Sequence, residues 1–112
     1  LNLVPARLSA LLIALAAPVA GGSIAHAAGV AWRDAAAHRS PNAGWPESAM
    51  AGGLGLALAG PRRYAERTVD DPFLNTEGRR DANAGDIGRA LRVYVLACVL
   101  HAALYAALVL CL

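Results

Sequence analysis

Residues 91–112 read LRVYVLACVLHAALYAALVLCL, and this stretch decides the fold class. It contains no Asp, Glu, Lys or Arg after Arg92. About 20 uncharged helical residues, at about 1.5 Å each, cross the roughly 30 Å hydrocarbon core of a bilayer. Asp86 is the predicted N-cap, and Arg89 follows at the polar end. Segment 86–112 is therefore predicted to be a transmembrane helix, and a buried helix of a larger soluble protein is the alternative.

The composition of the whole chain also favours a membrane protein. Of the 112 residues, 57% are hydrophobic and 16% are charged, whereas soluble domains carry about 45–50% apolar and about 25% charged residues. This excess argues against disorder, collagen and a disulfide scaffold, and the length allows one domain at most. The net charge of +2, without a basic cluster among aromatic residues, predicts no nucleic-acid partner.

A second apolar run covers residues 1–32 and has two interpretations. A secretory signal peptide would use Arg7 as its charged start and the small residues 25–27 as its cleavage site. An internal transmembrane helix would be kinked near Pro18 and the glycine pair Gly21-Gly22. The pattern alone leaves both open, and the family resemblance described below favours the transmembrane helix.

Charge is concentrated between the two apolar runs. Nine of the ten arginines and all eight acidic residues lie between Arg33 and Arg92. Four arginines flank the membrane ends of this polar segment, and one lies on the far side of the first run: Arg33, Arg39, Arg89 and Arg92, against Arg7. Since cytoplasmic loops carry an excess of positive residues, residues 33–92 are predicted to be cytoplasmic.

Prolines divide the start of the polar segment. Asp34 and His38 are four residues apart and are predicted to meet on one helical face. Pro41 is predicted to end that helix, because the residue before a proline avoids the α region. A polar turn over 40–44 then leads to Pro46, which suits the first position of a new helix.

The new helix is predicted to reach Gly60. Its apolar stripe follows a spacing of four residues: Met50, Leu54 and Leu58. The glycines in 52–55 are interpreted as sites of close helix packing rather than a phosphate loop. The stretch 62–85 has little periodicity and is predicted to be a loop.

Six polar residues with catalytic chemistry lie within 15 residues beside the first apolar run: Arg33, Asp34, His38, Ser40, Asn42 and Glu47. His38 and Glu47 are candidate general bases. Arg33 suits a phosphate or a carboxylate, and the carboxylates in the group could hold Mg²⁺. Spacing alone favours the alternative, in which capping and turn geometry account for the same residues.

The longest motif is HRSPNAGWPESAMAGGLGLALAGPRRY at residues 38–64. It resembles the cobalamin biosynthesis membrane proteins of the CobD/CbiB family, which carry H-x-SPN-x-GWPE-(A/S)-AMAG-x-LG followed by GP-x-x-Y. The flanks agree, since N-x-VPARL at 2–8, RDA at 33–35 and DI-x-x-AL at 86–91 are similar to further elements of the family. The resemblance covers residues 1–92.

This resemblance implies an enzyme. Family members are taken to be adenosylcobinamide-phosphate synthases, which join a carboxyl group of adenosylcobyric acid to the amine of aminopropanol phosphate with ATP and Mg²⁺. The resemblance implies catalytic roles for Arg33, Asp34, His38 and Glu47, substrate binding by Ser40, Asn42, Trp45 and Tyr64, Mg²⁺ binding by Asp34 and Glu47, and Asp86 nearby. In this scheme Arg33 would hold a phosphate and His38 would take a proton from the amine.

The resemblance also implies the setting of the chain. Family members are much longer, so the chain resembles the C-terminal part of an all-α, polytopic helical membrane protein. Two transmembrane helices, 1–32 and 86–112, would flank a polar interfacial segment with a short helix. We expect a bacterial cell-membrane location, contacts with lipid and with the N-terminal helices of the family, and no activity in isolation. A non-catalytic helical membrane fragment with a structural, assembly or transport role is the alternative.

Several positions depart from the family pattern. Asp71 stands where the family usually has a basic residue before a proline, and Asn75 stands where it usually has a glycine. Ala59 replaces the first glycine of a frequent GGP element. The family often continues this element as GGP-x-YY-GG, so Arg63, Ala65 and Glu66 depart as well. All of these positions lie in or beside the stretch predicted to be a loop.

Overall fold

A computed structural model describes residues 2–112. Four helices make up most of it, and the first two each continue into a 3₁₀ turn: α1 (Leu3–Ala16, then Ala17–Ala20), α2 (Ile24–Asp34, then Ala35–Ala37), α3 (Pro41–Leu54) and α4 (Ala84–Cys111). Four two-residue strands lie between α3 and α4: β1 (Leu58–Ala59), β2 (Arg62–Arg63), β3 (Thr68–Val69) and β4 (Phe73–Leu74). The chain is therefore mostly helical.

The first apolar run forms a helical hairpin, not the single kinked helix predicted for 1–32. Pro18 lies in the 3₁₀ turn that follows α1. Gly21 ends this turn with a φ of 83°, in the left-handed region that favours glycine. Ser23 then caps α2, and its hydroxyl accepts a hydrogen bond from the His26 N–H at 3.2 Å. The predicted kink is thus a full reversal of the chain.

Small residues hold this hairpin and α3 together. Ala14 packs with Ala27, and Ala10 packs with Ala31, so α2 runs antiparallel to α1. Ala49 of α3 joins the second of these clusters. Methyl-sized side chains allow the three helix axes to approach closely, as small residues do in membrane proteins.

The glycine-rich end of α3 is a packing surface, which confirms its interpretation from sequence. A Cβ atom at Gly52 would lie 2.9 Å from the Cβ of Val30, and one at Gly53 would lie 3.1 Å from the Cβ of Ala17. The carbonyl of Gly53 lies against Gly22, where a Cβ atom would overlap the carbonyl oxygen. Larger side chains at these positions would force the helices apart.

The predicted bounds of α3 were wrong at both ends. The helix begins at Pro41, not at Pro46, because proline suits the first helical position, where its missing N–H has no intrahelical partner to lose. Pro46 lies inside the helix, where it removes one backbone hydrogen bond. The helix ends at Leu54, not at Gly60, and Gly55 follows with a φ of 71°.

The stretch 62–85, predicted to be a loop, contains three of the four strands. β1 pairs antiparallel with β4, with Leu58 opposite Leu74. β2 pairs antiparallel with β3, with Arg62 opposite Val69. Leu58 therefore belongs to β1 and not to the apolar stripe of α3. The predicted all-α class is corrected to a mostly helical fold with two short β ladders.

Helix α4 begins earlier than predicted, and Asn83 caps it instead of Asp86. The Asn83 side chain accepts a hydrogen bond from the Asp86 N–H at 3.1 Å, and the Asp86 carboxylate accepts one from the Asn83 N–H at 2.9 Å. This is a capping box, in which the acid stands at the third helical position. The start of α4 packs against the ends of α1 and α3 in the main apolar core: Leu12, Ala16, Ala20, Leu54, Leu56, Val93 and Ala97.

Two segments are long and apolar enough to cross a membrane, Leu3–Ala20 and Ala84–Cys111. The surrounding chain buries 39% of the first apolar window and 11% of the second. Length and composition alone would thus allow each segment to cross a membrane, although the first ends well before residue 32 and the chain then reverses into α2.

Candidate functional site

The start of α3 brings together three of the predicted site residues. His38 Nε2 lies 3.1 Å from Glu47 Oε2, and His38 Nδ1 accepts a hydrogen bond from the Ser40 N–H at 2.8 Å. Because Nδ1 is the acceptor, the neutral ring carries its hydrogen on Nε2, the nitrogen that faces Glu47. The Glu47 side chain is 47% exposed. A carboxylate oriented by a histidine is therefore open to a ligand at this surface.

Arg33 and Asp34 form a different cluster, which also contains Glu77. The Arg33 guanidinium donates to Asp34 at 2.7 and 2.8 Å and to Glu77 at 2.9 and 3.1 Å. These bonds raise the pKa of Arg33 and lower the pKa of both carboxyl groups. They use four of the five N–H groups of the guanidinium. A phosphate could bind Arg33 closely only by displacing one of these carboxylates.

Asp34 and His38 do not meet as predicted. The helix α2 ends at Asp34, the next three residues form a 3₁₀ turn, and His38 has an extended ψ of 143°. The Asp34 carboxylate instead accepts a hydrogen bond from the Asn75 N–H at 2.7 Å. The four-residue spacing fails here because the helix on which it depends stops between the two residues.

The predicted Mg²⁺ ligands take part in separate contacts. Asp34 contacts Arg33 and Asn75, whereas Glu47 contacts His38. Over residues 2–112, no three side chains of His, Cys, Asp or Glu are placed to hold one metal ion. The arrangement of these residues therefore does not by itself assemble the predicted Mg²⁺ site.

Trp45 faces α1 and α2 and not Glu47. Its ring lies 6.1 Å from that of Trp32 in an edge-to-face arrangement, and the Arg7 guanidinium lies 4.8 Å from its centre. Positions 45 and 47 are about 200° apart around a helix of 3.6 residues per turn. Trp45 thus belongs to a second surface, away from the contact between His38 and Glu47.

The remaining predicted residues lie at the edges. Asn42 is half-buried in the first turn of α3. Tyr64 lies between β2 and β3, where its N–H donates to the Arg67 carbonyl at 2.8 Å, and its side chain is exposed. Asp86 binds Arg79 and Arg89 at the start of α4. These contacts do not bring Tyr64 or Asp86 to Glu47.

With this geometry established, comparison with known proteins gives the family. The family model described as CobD/Cbib protein matches residues 1–94. This chain belongs to the CobD/CbiB family. The matched range includes the helical hairpin, all of α3, the β ladders and the first third of α4.

Several curated CobD proteins are similar to this chain. Cobalamin biosynthesis protein CobD of Brucella anthropi is 56% identical over 95 residues, which are 83% of this chain and 29% of the relative. The CobD protein of Sinorhizobium fredii is 52% identical over 111 residues, which are 97% of this chain and 34% of the relative. That of Rhodobacter capsulatus is 50% identical over 93 residues, 83% of this chain and 28% of the relative. The chain thus spans about a third of these relatives, and no solved structure matches it significantly.

Asn75 has a structural role that no motif in the sequence predicts. It replaces a usual glycine of the CobD/CbiB pattern, and its φ is 59°. Asparagine tolerates this left-handed conformation better than most residues. Its buried side-chain amide donates to the carbonyls of Ala51 at 3.3 Å and Leu56 at 3.0 Å. The departure from the family pattern was the available signal for a residue with φ above zero.

Asp71 is the second residue whose role becomes visible only in the structure. Its carboxylate accepts hydrogen bonds from Arg39 at 2.9 Å and from Arg62 at 2.7 Å. The hydrogen bond from Arg39, followed by that from Arg62, lowers the pKa of Asp71. This acid, which replaces a usual basic residue of the CobD/CbiB family, ties the strands to the α2–α3 connection. Glu77, which follows β4, forms an ion pair with Arg33 of α2. The stretch 62–85 is therefore anchored to the helices at several points.

Proposed function

We propose that this chain is part of a membrane-bound adenosylcobinamide-phosphate synthase of cobalamin biosynthesis. Its relatives at 50–56% identity are named cobalamin biosynthesis protein CobD. The family resemblance supplies the reaction, an amide ligation between adenosylcobyric acid and aminopropanol phosphate. Because the chain spans about a third of these relatives, we propose the activity for the full-length protein and no activity for the isolated chain.

The contact between His38 and Glu47 is the observation that supports a catalytic site here. It lies within the H-x-SPN-x-GWPE motif, on a helix start that the Ser40 N–H and the His38 ring hold in place. A purely structural helix start needs a cap, but it does not need a histidine oriented against a half-exposed carboxylate. The sequence offered both His38 and Glu47 as the base, and the scheme implied by the resemblance used His38; the geometry favours Glu47 in that role.

The roles of His38 and Glu47 follow from which of their polar atoms remain free to bind a substrate. Both nitrogens of His38 are engaged, one by Ser40 and one by Glu47, so His38 is a positioning residue. The carboxylate of Glu47 accepts a proton from the amine of aminopropanol phosphate as the amine nitrogen attacks the carboxyl carbon of adenosylcobyric acid. A C–N bond forms at the carboxyl carbon, and the bond from that carbon to the activated carboxyl oxygen breaks, so that this oxygen leaves with the group that activated it.

ATP and Mg²⁺ enter this proposal only through the family resemblance. When bound, they would supply the activation of the carboxyl group. Arg33 and Asp34 do not fit this task as they stand, since Arg33 is bound by two carboxylates and Asp34 by Arg33 and Asn75. Arg33 and Asp34 therefore have no part in the proposed proton transfer.

Substrate contacts and location complete the proposal. Ser40 and Asn42, on the same helix start as His38, remain the proposed substrate contacts. We propose a multi-pass protein of the bacterial cell membrane, with residues 33–92 on the cytoplasmic side. The two apolar segments and the concentration of arginine in the polar segment support this location.

A chimaera tests the proposal in a full-length context. The aligned segment of the Brucella anthropi CobD protein is replaced by this chain and expressed in a strain that lacks its own synthase. We expect the chimaera to produce cobinamide phosphate from cobyric acid and the Glu47→Gln variant to lose at least about 100-fold in rate, as is typical for a lost general base.

Matched variants separate catalysis from folding. Glu66→Gln makes the same chemical change on an exposed acid of the β2–β3 connection and should retain full activity. His38→Gln should lower kcat with little change in KM if His38 orients Glu47. Full activity of a correctly inserted Glu47→Gln chimaera would reject the site, and a chimaera without any product would favour the non-catalytic alternative.

A further inference from the structure

A second surface of the molecule has the composition of a ligand site. A cleft with a volume of about 180 Å³ lies between the α1–α2 hairpin and α3. Its walls combine one cation, two indole rings and small apolar residues: Arg7, Trp32, Trp45, Ala10, Leu11, Ala28 and Ala31. No acidic residue lines the cleft, so its electrostatic character is positive.

Arg7 makes two contacts within this cleft. Its guanidinium donates one hydrogen bond to the Leu3 carbonyl at 3.0 Å and lies 4.8 Å from the centre of the Trp45 ring. Over residues 2–112, its side chain makes no ion pair with an acid. The other N–H groups of the Arg7 guanidinium are therefore available to an oxyanion. A planar guanidinium can donate two parallel hydrogen bonds to the oxygens of a phosphate or a carboxylate.

The aromatic walls favour an apolar body attached to that anion. Trp32 is 81% exposed. Covering its large indole surface with an apolar group would lower the free energy of the complex. Trp45 meets it edge to face and supports the opposite side of the cleft. Ala28 and Ala31 also line the cleft, and their small side chains leave room for a ring or an alkyl chain beside the indoles.

We propose that the cleft formed by Arg7, Trp32 and Trp45 binds an organic phosphate, with the phosphate on Arg7 and its apolar body against Trp32. The ligand is either a soluble phosphate ester or the headgroup of an anionic phospholipid, and the two share this chemistry. The cleft is separate from the contact between His38 and Glu47, and the proposal does not depend on the proposed reaction.

The chain offers a direct readout of this cleft. It contains two tryptophans, and both line the cleft. The 112-residue chain is purified in maltoside micelles, and phenyl phosphate is titrated at constant ionic strength while tryptophan fluorescence is recorded. We expect a saturable change, with at least tenfold weaker binding in Arg7→Gln. Phenol, which lacks the phosphate, should give no saturable change.

Variants separate a bound ligand from a general charge effect. Arg92→Gln removes a cation outside the cleft and should leave the affinity unchanged. Trp32→Leu, which retains Trp45 as reporter, should weaken phenyl phosphate more than inorganic phosphate. Arg7→Lys retains the charge and should bind between wild type and Arg7→Gln, and circular dichroism checks the helix content of every variant.

The source of the phosphate is determined in nanodiscs. If a lipid headgroup occupies the cleft, phosphatidylglycerol should shift the fluorescence relative to phosphatidylcholine and compete with phenyl phosphate. If the ligand is soluble, phenyl phosphate should bind equally in both lipids. The proposal is overturned if neither probe gives a saturable change with the folded chain, or if the response survives in Arg7→Gln.

Discussion

The backbone N–H of Asn75 donates to the carboxylate of Asp34 at 2.7 Å, across 41 residues of sequence. Asn75 therefore connects the end of α2 with the end of α3, where its side chain binds the carbonyls of Ala51 and Leu56. One residue in a stretch without helical periodicity thus fixes the relative position of two helices.

Replacement of Asn75 should separate the two properties of this residue. Asn75→Ala removes two buried hydrogen bonds and places a Cβ-bearing residue without a polar side chain at a φ of 59°. We expect a loss of about 2–4 kcal/mol in the free energy of unfolding. Asn75→Gly loses the same bonds but tolerates the φ, so it should lose about 1 kcal/mol less. Equal losses in urea unfolding of both variants would contradict this account.

Two glycines of the hairpin should respond in opposite directions to the same change. A Cβ atom at Gly22 would overlap the Gly53 carbonyl, so Gly22→Ala should destabilise by about 1–3 kcal/mol. Gly29 lies on α2 with open space around it, so Gly29→Ala should stabilise by about 0.5–1 kcal/mol through helix propensity. Thermal unfolding in micelles measures both, and the same sign for both variants would argue against the packed hairpin.

Acid should weaken the contacts between the strands and the helices. Arginine hydrogen bonds lower the pKa of Asp34, Asp71 and Glu77 in the folded protein. Unfolded carboxyl groups bind protons at about pH 3.9–4.3, so the stabilisation is complete above that range and disappears as pH falls through the folded values. We expect the midpoint temperature of unfolding to decrease as the pH is lowered below about 5.

The contribution of one ion pair to this acid sensitivity can be isolated. Glu77→Gln removes a carboxylate that binds Arg33, so its midpoint should fall less steeply with pH than that of wild type. Glu66→Gln, at an exposed acid outside these ion pairs, is the control and should follow wild type. The effect should shrink in high salt, since these pairs are largely exposed.

Ala59 is a position at which glycine should improve the protein. Its φ is 61°, a conformation that costs a Cβ-bearing residue about 1–2 kcal/mol. Glycine avoids that cost but gives up about 0.4–1 kcal/mol through the greater freedom of the unfolded chain. Ala59→Gly should therefore stabilise by up to about 1.6 kcal/mol. Asn75→Gly is a useful comparison, because there the side chain has hydrogen bonds to lose.

Local chemistry predicted the helical parts of this fold better than their ends. The long apolar run and the acid Asp86 identify α4. An acid suits both the N-cap and the third helical position, so Asp86 alone does not decide where the helix begins. Pro41 and Pro46 each permit a helix start, and sequence gives no reason to prefer the earlier one until the close packing of Gly44 against the α2–α3 connection is known.

The candidate site was predicted in part for a similar reason. The family motif placed His38 and Glu47 near each other, and the structure shows them in contact. Glu77 and Asn75 could not be predicted as partners of Arg33 and Asp34, because they approach from a stretch without periodicity. Trp45 stands within the motif, but its direction depends on where α3 begins.

The reversal at Gly21 and Gly22 returns the chain to the end of the hairpin at which it started. A bilayer that surrounds this hairpin would meet both of its termini at one face, so the hairpin would add no net crossing. When the positive residues on each side of the membrane are counted, Arg7 would then stand on the same side as Arg33. Any topology that treats the first apolar run as a crossing would assign every following segment to the opposite compartment.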